Sequence, residues 1–122
     1  MALIIAGERS GVGKTTITLA ILSFLSQKGA KVQSFKVGPD YIDPMFHTQV
    51  TGFPCRNLDP VLTSETYVQN CYARHAQGVD YALIEGVMGL FDGIYLNNCH
   101  DFASTAHIAR LLNLPVLLVL DC

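Results

Sequence analysis

An α/β fold with a mainly parallel sheet and flanking helices is what this sequence predicts, and three observations carry that expectation. Short apolar runs alternate with segments whose apolar residues recur at helical spacing. The runs show no polar alternation, as expected of strands covered on both faces. Polar, glycine-bearing clusters follow the runs, where right-handed strand–helix–strand units leave their loops at the carboxyl edge of the sheet.

The elements follow in order. Ala2–Ala6 is the first strand. Gly7-Glu8-Arg9-Ser10-Gly11-Val12-Gly13-Lys14-Thr15-Thr16 is a glycine loop, and Thr16–Gln27 is the first helix, with Ile17, Ala20, Ile21, Phe24 and Leu25 on one apolar face. Gly29 ends that helix. A strand, a glycine loop and a helix in this order make a phosphate cradle, so the expected architecture is a P-loop NTPase, Rossmann-like and three-layered. Val32–Val37 is a second strand, ended by Gly38-Pro39-Asp40. Residues 38–63 carry Pro39, Pro44, Pro54 and Pro60 and read as a long loop region, of the kind that is usually functional. Thr63 or Ser64 caps a helix running to about His75, with Val68, Cys71, Tyr72 and His75 on one side. Tyr81–Glu85 is a third strand and Gly86–Asp101 a second glycine-bearing loop region. Thr105–Leu112 is a short helix. Leu114 to Cys122 reads as a fourth, buried strand with no covering helix behind it, so a truncated fold is expected, the front part of a longer protein.

Bulk properties narrow the function. The 122 residues suffice for one small domain, and with 50% hydrophobic and 15% charged residues it is globular. A net charge of −2 gives no electrostatic reason to bind nucleic acid or an anionic membrane. Cys55, Cys71, Cys99 and Cys122 lack metal-binding or disulfide-framework spacing, and no signal peptide is visible, so reduced cytoplasmic thiols are expected.

The chemistry concentrates at strand ends. In the loop, Ser10, Gly11, Val12, Gly13, Lys14, Thr15 and Thr16 are expected to bind nucleotide phosphates: backbone N–H groups converge on the anion, Lys14 reaches the terminal phosphates and Thr15 ligates Mg²⁺. The usual loop would place its first glycine at position 8, whereas this chain has Gly7 and then Glu8. Glu85 directly follows an apolar strand, the usual place for a second metal-side acid. Asp40 and Asp43 are either turn formers or site acids, and Asp92 in Phe91-Asp92-Gly93 has the same two readings. Lys36, at the same sheet edge, is either a solvated charge or a group that stabilises transferred charge. His47 and Arg56 are weaker candidates.

Taken together, Gly11-Val12-Gly13-Lys14-Thr15-Thr16, Phe35-Lys36-Val37-Gly38-Pro39-Asp40-Tyr41-Ile42-Asp43-Pro44 with Phe46-His47, Arg56-Asn57-Leu58-Asp59, and Glu85-Gly86-Val87-Met88-Gly89-Leu90-Phe91-Asp92-Gly93 closely resemble the cobyrinate a,c-diamide synthases, amidotransferases of corrinoid biosynthesis. The dethiobiotin synthetases are similar in the loop, the lysine and the Glu-Gly pair. The resemblance implies that ATP phosphorylates acetate carboxylates of cobyrinate and that ammonia, drawn from a glutaminase domain, displaces the phosphate. It implies Thr15, Asp40 and Glu85 as Mg²⁺ ligands, with Lys36, Asp40, Asp43, Glu85 and Asp92 as the catalytic set; the division among the four acids stays open. Residues 1–122 would be the N-terminal part of the ATP-binding amidoligase domain, without the glutaminase domain. Two other readings are a partitioning-type ATPase switch that works through ATP-dependent homodimers, for which Arg9 would be the interface charge, and an inactive truncated fragment.

Overall fold

The computed structural model describes residues 1–96 and 99–121, and a five-stranded parallel sheet is its centre. The elements are β1 (Ala2–Gly7), α1 (Lys14–Gln27), β2 (Val32–Val37), α2 (Asp43–Thr51), β3 (Arg56–Leu58), α3 (Glu65–Ala76), β4 (Tyr81–Gly89), β5 (Ile94–Leu96), β6 (Cys99–Phe102), α4 (Thr105–Leu112) and β7 (Val116–Val119). The strand order is β3-β2-β4-β1-β7, with β5 and β6 forming a separate antiparallel pair.

Strand alternation divides the sheet into two buried faces. Ile4, Phe35, Val37, Leu58 and Ile84 form one core with Val68 and Cys71 of α3 and Ile108 and Ala109 of α4. Ile5, Val32 and Leu83 form the other with Leu22 of α1. The result is helix, sheet, helix: the three-layer α/β architecture that the sequence predicts. Among the described residues, no helix is long and apolar enough to cross a membrane.

Two regions read as loops are partly ordered. The stretch 38–63 contains α2 and β3. Asp40 starts α2, since its Oδ1 accepts from the amides of Ile42 (2.8 Å) and Asp43 (3.3 Å), and Pro44 sits in the first turn, where its missing N–H costs nothing. Proline here marks a helix start rather than a loop. In the second region, β4 continues past Glu85 to Gly89, and β5 and β6 pair. The ladder between β1 and β4 slips there: Ile5 pairs with Glu85, but Gly7 pairs with Gly89, so the Gly86–Met88 backbone bulges. Thr105 clamps the bulge, its Oγ1 lying 2.9 Å from the Val87 amide and 3.2 Å from the Val87 carbonyl. Gly86 has no alternative, because a Cβ would lie 2.6 Å from that same Oγ1.

Smaller corrections concern faces. Ala20 and Phe24 are exposed on α1, whose buried side is Lys14, Thr18 and Leu22. Ser64, not Thr63, caps α3, its Oγ accepting from the Tyr67 amide at 3.0 Å. Val116, Leu117 and Leu118 of β7 are exposed between about a third and a half, not buried. Cys122 and the side chain of Cys99 lie outside the described residues; Cys55 and Cys71 are free thiols.

Candidate active site

Sheet register builds the site before any loop contributes. Asn57 of β3 pairs with Lys36 of β2, Lys36 with Glu85 of β4, and Glu85 with Ile5 of β1. Neighbours in a parallel ladder point the same way, so Lys36 and Glu85 stand side by side on the face covered by α1 and α2. Both are nearly or fully buried, at 3% and 0% exposure. The Lys36 Nζ lies 2.8 Å from Glu85 Oε2 and 3.0 Å from Asp43 Oδ2, and it donates to the Gly86 carbonyl at 2.9 Å. Asp40 Oδ2 is 3.8 Å away. Three donor positions on one ammonium thus meet three acceptors, which satisfies a charge that would otherwise be costly to bury.

The helices complete the cluster. Thr15, in the first turn of α1, donates to Glu85 Oε2 at 2.9 Å and lies 3.4 Å from Asp43 Oδ2. His47 is four residues beyond Asp43 on α2, so both side chains face the sheet. Its Nε2 is 2.8 Å from Glu85 Oε1, and its Nδ1 is 3.4 Å from Cys55 Sγ. His47 and Glu85 are both wholly buried. A carboxylate can only accept here, so Nε2 carries the proton. Glu85 therefore has one oxygen held by His47 and the other shared by Lys36 and Thr15.

Electrostatics follow from that geometry. Burial alone would raise the Glu85 carboxyl, but hydrogen bonds from His47 and Lys36 and the Lys36 charge hold it well below the usual carboxylate range. Burial would likewise lower Lys36, yet its bonds to Glu85 and Asp43 raise it above the ordinary lysine value. Lys14 goes the other way. Burial, then repulsion from Lys36, lowers it, against the pull of Glu85, Asp43 and Asp92.

The glycine loop is shaped for an anion. Gly11 and Gly13 have φ of 78° and 97°, which L side chains rarely adopt. No side chain caps α1, so the first-turn amides are available to a ligand. At Gly7 a Cβ would meet Val12 Cγ2 at 2.6 Å; the early glycine is what lets the loop fold back on β1. Ser10, Gly11 and Thr16 are exposed, and Val12 packs against the core beneath. Lys14, whose neighbour Lys36 is already paired with acids, and the open amides together fit a polyphosphate. Thr15, Asp43 and Glu85 present the hard oxygen donors that Mg²⁺ prefers. Among the described residues, no three His, Cys, Asp or Glu side chains form a closed metal cage; a cation here would share its coordination with phosphate oxygens and water.

Asp92 stands apart from the Lys36 cluster. Its Oδ2 accepts from the Gly89 amide at 2.9 Å, while its charge acts on Lys14. Arg9 is engaged within the chain, 2.6 Å from both Glu8 and Asp121. Sequence reasoning ranked His47 as a weaker candidate and gave Cys55 and Asn57 no role of their own at the site. Asn57 Nδ2 donates to the carbonyls of Gly38 and Asp40, at 2.9 and 2.6 Å, and so fixes the loop that carries the acids. The spacing Asp43-x-x-x-His47 was the available signal, but it carries meaning only on a helix.

Known proteins match nearly the whole chain. Residues 3–113 match the family described as CobQ/CobB/MinD/ParA nucleotide binding domain. The whole chain is 69% identical to the cobyrinate a,c-diamide synthase of Synechocystis sp., covering 25% of that protein, and 70% identical to the one from Synechococcus sp., covering 26%. It is 48% identical over 98% of its length to the hydrogenobyrinate a,c-diamide synthase of Mycobacterium tuberculosis, covering 27% of it. The chain thus spans about a quarter of the length of these curated relatives.

Proposed function

Because the chain belongs to the family of CobQ/CobB/MinD/ParA nucleotide binding domains, we propose that it is the ATP-binding part of a cobyrinate a,c-diamide synthase. The intact protein would act in the cytoplasm, converting the a and c acetate carboxylates of cobyrinate to amides with ammonia from glutamine. Support for this comes from the relatives' names and, above all, from one observation: Lys36 bonds both Asp43 and Glu85, and the phosphate-loop Thr15 bonds the same Glu85 oxygen.

A carboxylate does not react with ammonia until one of its oxygens becomes a leaving group. The acceptor carboxylate oxygen attacks the γ-phosphorus of ATP, the bond to ADP breaks, and an acyl phosphate results. Ammonia then adds to the carbonyl carbon, inorganic phosphate departs, and one proton is lost to give the amide. Lys14, the loop amides and the α1 N-terminus hold the phosphates. Lys36 neutralises charge on the transferred group. Thr15, Glu85 and one of Asp40 or Asp43 would hold Mg²⁺, whose chemistry when bound is to offset phosphate charge and fix its orientation. His47 keeps Glu85 turned toward the metal side. Asp40 and Asp43 are partly open to solvent at 29% and 22%; the one that does not hold Mg²⁺ is left to order the acceptor and receive the proton from ammonia, while Asp92 steadies Lys14. The partitioning-switch reading depends on Arg9, which is already paired with Glu8 and Asp121, and it gives the acid row no task.

The test uses the intact protein with cobyrinate carrying ¹⁸O in its carboxylates, Mg-ATP and glutamine. Two amide additions by mass spectrometry, with one ¹⁸O appearing in phosphate per amide, are expected. Phosphate free of ¹⁸O, or ATP-driven dimerisation without amidation, refutes the reading.

A further inference from the structure

Beyond Pro39 lies a cavity of about 470 Å³ that the chemistry above leaves without a task. Its walls come from β3, the turn that follows it and α3. Arg56 on β3 and Arg74 on α3 both line it. Whereas Arg9 and Arg110 pair with carboxylates, neither Arg56 nor Arg74 has an ion-pair or hydrogen-bond acceptor among the described residues. Asp59, also in the wall, is the reverse case. Its Oδ1 accepts from the amides of Val61 (3.0 Å) and Leu62 (3.4 Å), but its Oδ2 is buried without any donor. A buried carboxylate oxygen left unpaired is rare, because it forfeits its hydration for nothing. The cavity is therefore incomplete in both senses: two cations lack anions, and one buried acceptor lacks a donor.

The cavity is also coupled to the reacting groups. Asn57 lines it, and the same Asn57 amide holds the carbonyls of Gly38 and Asp40. Asp40 in turn faces Lys36. Arg56, paired with Phe35, faces α3 on the other side of the sheet from Lys36, so the link between cavity and cluster runs through Asn57 and the loop it holds.

We propose that this cavity anchors carboxylates of the acceptor that are not being amidated, with Arg56 and Arg74 pairing with them and a water held beside the bound ligand donating to Asp59 Oδ2. The inference rests on the reading of the acceptor as a polycarboxylate macrocycle. Planar guanidinium groups bind carboxylates through paired hydrogen bonds, which fixes orientation as well as charge. Orientation is what the reaction demands, since chemically similar carboxylates must be told apart, and binding energy from remote groups can place the correct one.

Arg56 and Arg74 are exposed on the surface of their elements, so their replacement leaves the fold intact. The experiment measures cobyrinate binding by equilibrium dialysis and steady-state amidation in the intact protein, for wild type, Arg56→Ala, Arg74→Ala, the double variant and Arg74→Lys. We expect cobyrinate Kd and KM to rise roughly tenfold in each single alanine variant and further in the double, with the KM for ATP unchanged and Arg74→Lys only partly impaired. Normal amidation with unchanged cobyrinate Kd in the double variant overturns this inference and leaves the proposed function standing. Binding that is lost in the double variant, in a wild type that does not amidate, supports the cavity and refutes the function. A wild type that does not bind cobyrinate overturns the inference.

Discussion

Burial, and then the neighbouring Lys36 charge, lower Lys14 from the ordinary lysine value. The negative charge of a polyphosphate would favour the protonated ammonium and offset the Lys36 repulsion. Lys14→Met should leave the melting temperature of the nucleotide-free protein unchanged or slightly higher. It should abolish the stabilisation by Mg-ATP, which at about 100 times Kd amounts to about 2.7 kcal/mol in a binding-competent protein. Differential scanning fluorimetry with and without nucleotide checks this; a preserved nucleotide shift refutes the role. His47 acts through Glu85 rather than on substrate. His47→Ala leaves Glu85 Oε1 buried without a donor, so the carboxylate loses its fixed direction. The Mg²⁺ concentration for half-maximal activity should rise roughly tenfold with a smaller change in the KM for ATP, and His47→Gln, which can still donate, should recover part of it. An unchanged Mg²⁺ requirement counts against the positioning role. Lys14, Lys36 and Glu85 were legible in the sequence because each is announced by its own strand or glycine loop. The partner of His47 lies 38 residues away, and only the sheet register brings the two together.

At the scale of elements, α2 decides whether the acid row forms. It supplies Asp43 from its first turn and His47 from its second, and it begins where Asp40 caps it. The sequence pattern Asp40-x-x-Asp43-Pro44 contains that start signal, yet four prolines in 26 residues suggested a loop. The proline count measured breakers without asking which positions tolerate them. The antiparallel pair of β5 and β6 was missed for another reason: its strands are too short for alternation to register. Asp40 consequently has two roles that can be separated. Asp40→Asn keeps a capping oxygen and loses the charge, while Asp40→Ala loses both. The alanine variant should cost about 1 kcal/mol and speed amide hydrogen exchange across 42–51 without affecting β1 or β4. The asparagine variant should show normal exchange but reduced amidation if the carboxylate orders metal or acceptor. Full activity in Asp40→Asn would reduce Asp40 to a cap.

For the whole molecule, the parallel strand order and the two-faced core were readable because apolar runs and helical periodicity are local signals that topology rules then constrain. The exposure of β7 was not, since burial of an edge strand depends on what lies beside it. The most global consequence of the site is the pH dependence of stability. Glu85 has an ordinary value of 4.5 when unfolded, and burial, outweighed by bonds from His47 and Lys36, leaves it far lower when folded. The folded state therefore gains from ionised Glu85 at pH above the unfolded value, and the gain fades as pH falls from about 4.5 through the folded value. Lys36 is raised above 10.5 on folding, so its contribution is complete below that value and is lost only as pH rises through the folded one. Between these limits the pair is at full strength. Glu85→Gln keeps the shape and removes the charge, leaving Lys36 buried with one fewer anion at a cost of about 3 kcal/mol. Below about pH 4.5 the wild-type carboxyl gains its proton with unfolding and comes to resemble the variant. Melting temperatures measured from about pH 3 to pH 9 should show a gap between wild type and Glu85→Gln that is widest at neutral pH and narrows steadily in acid. A gap of constant width across the acid limb would mean that the Glu85 charge is not what holds β2 and β4 together at their carboxyl ends.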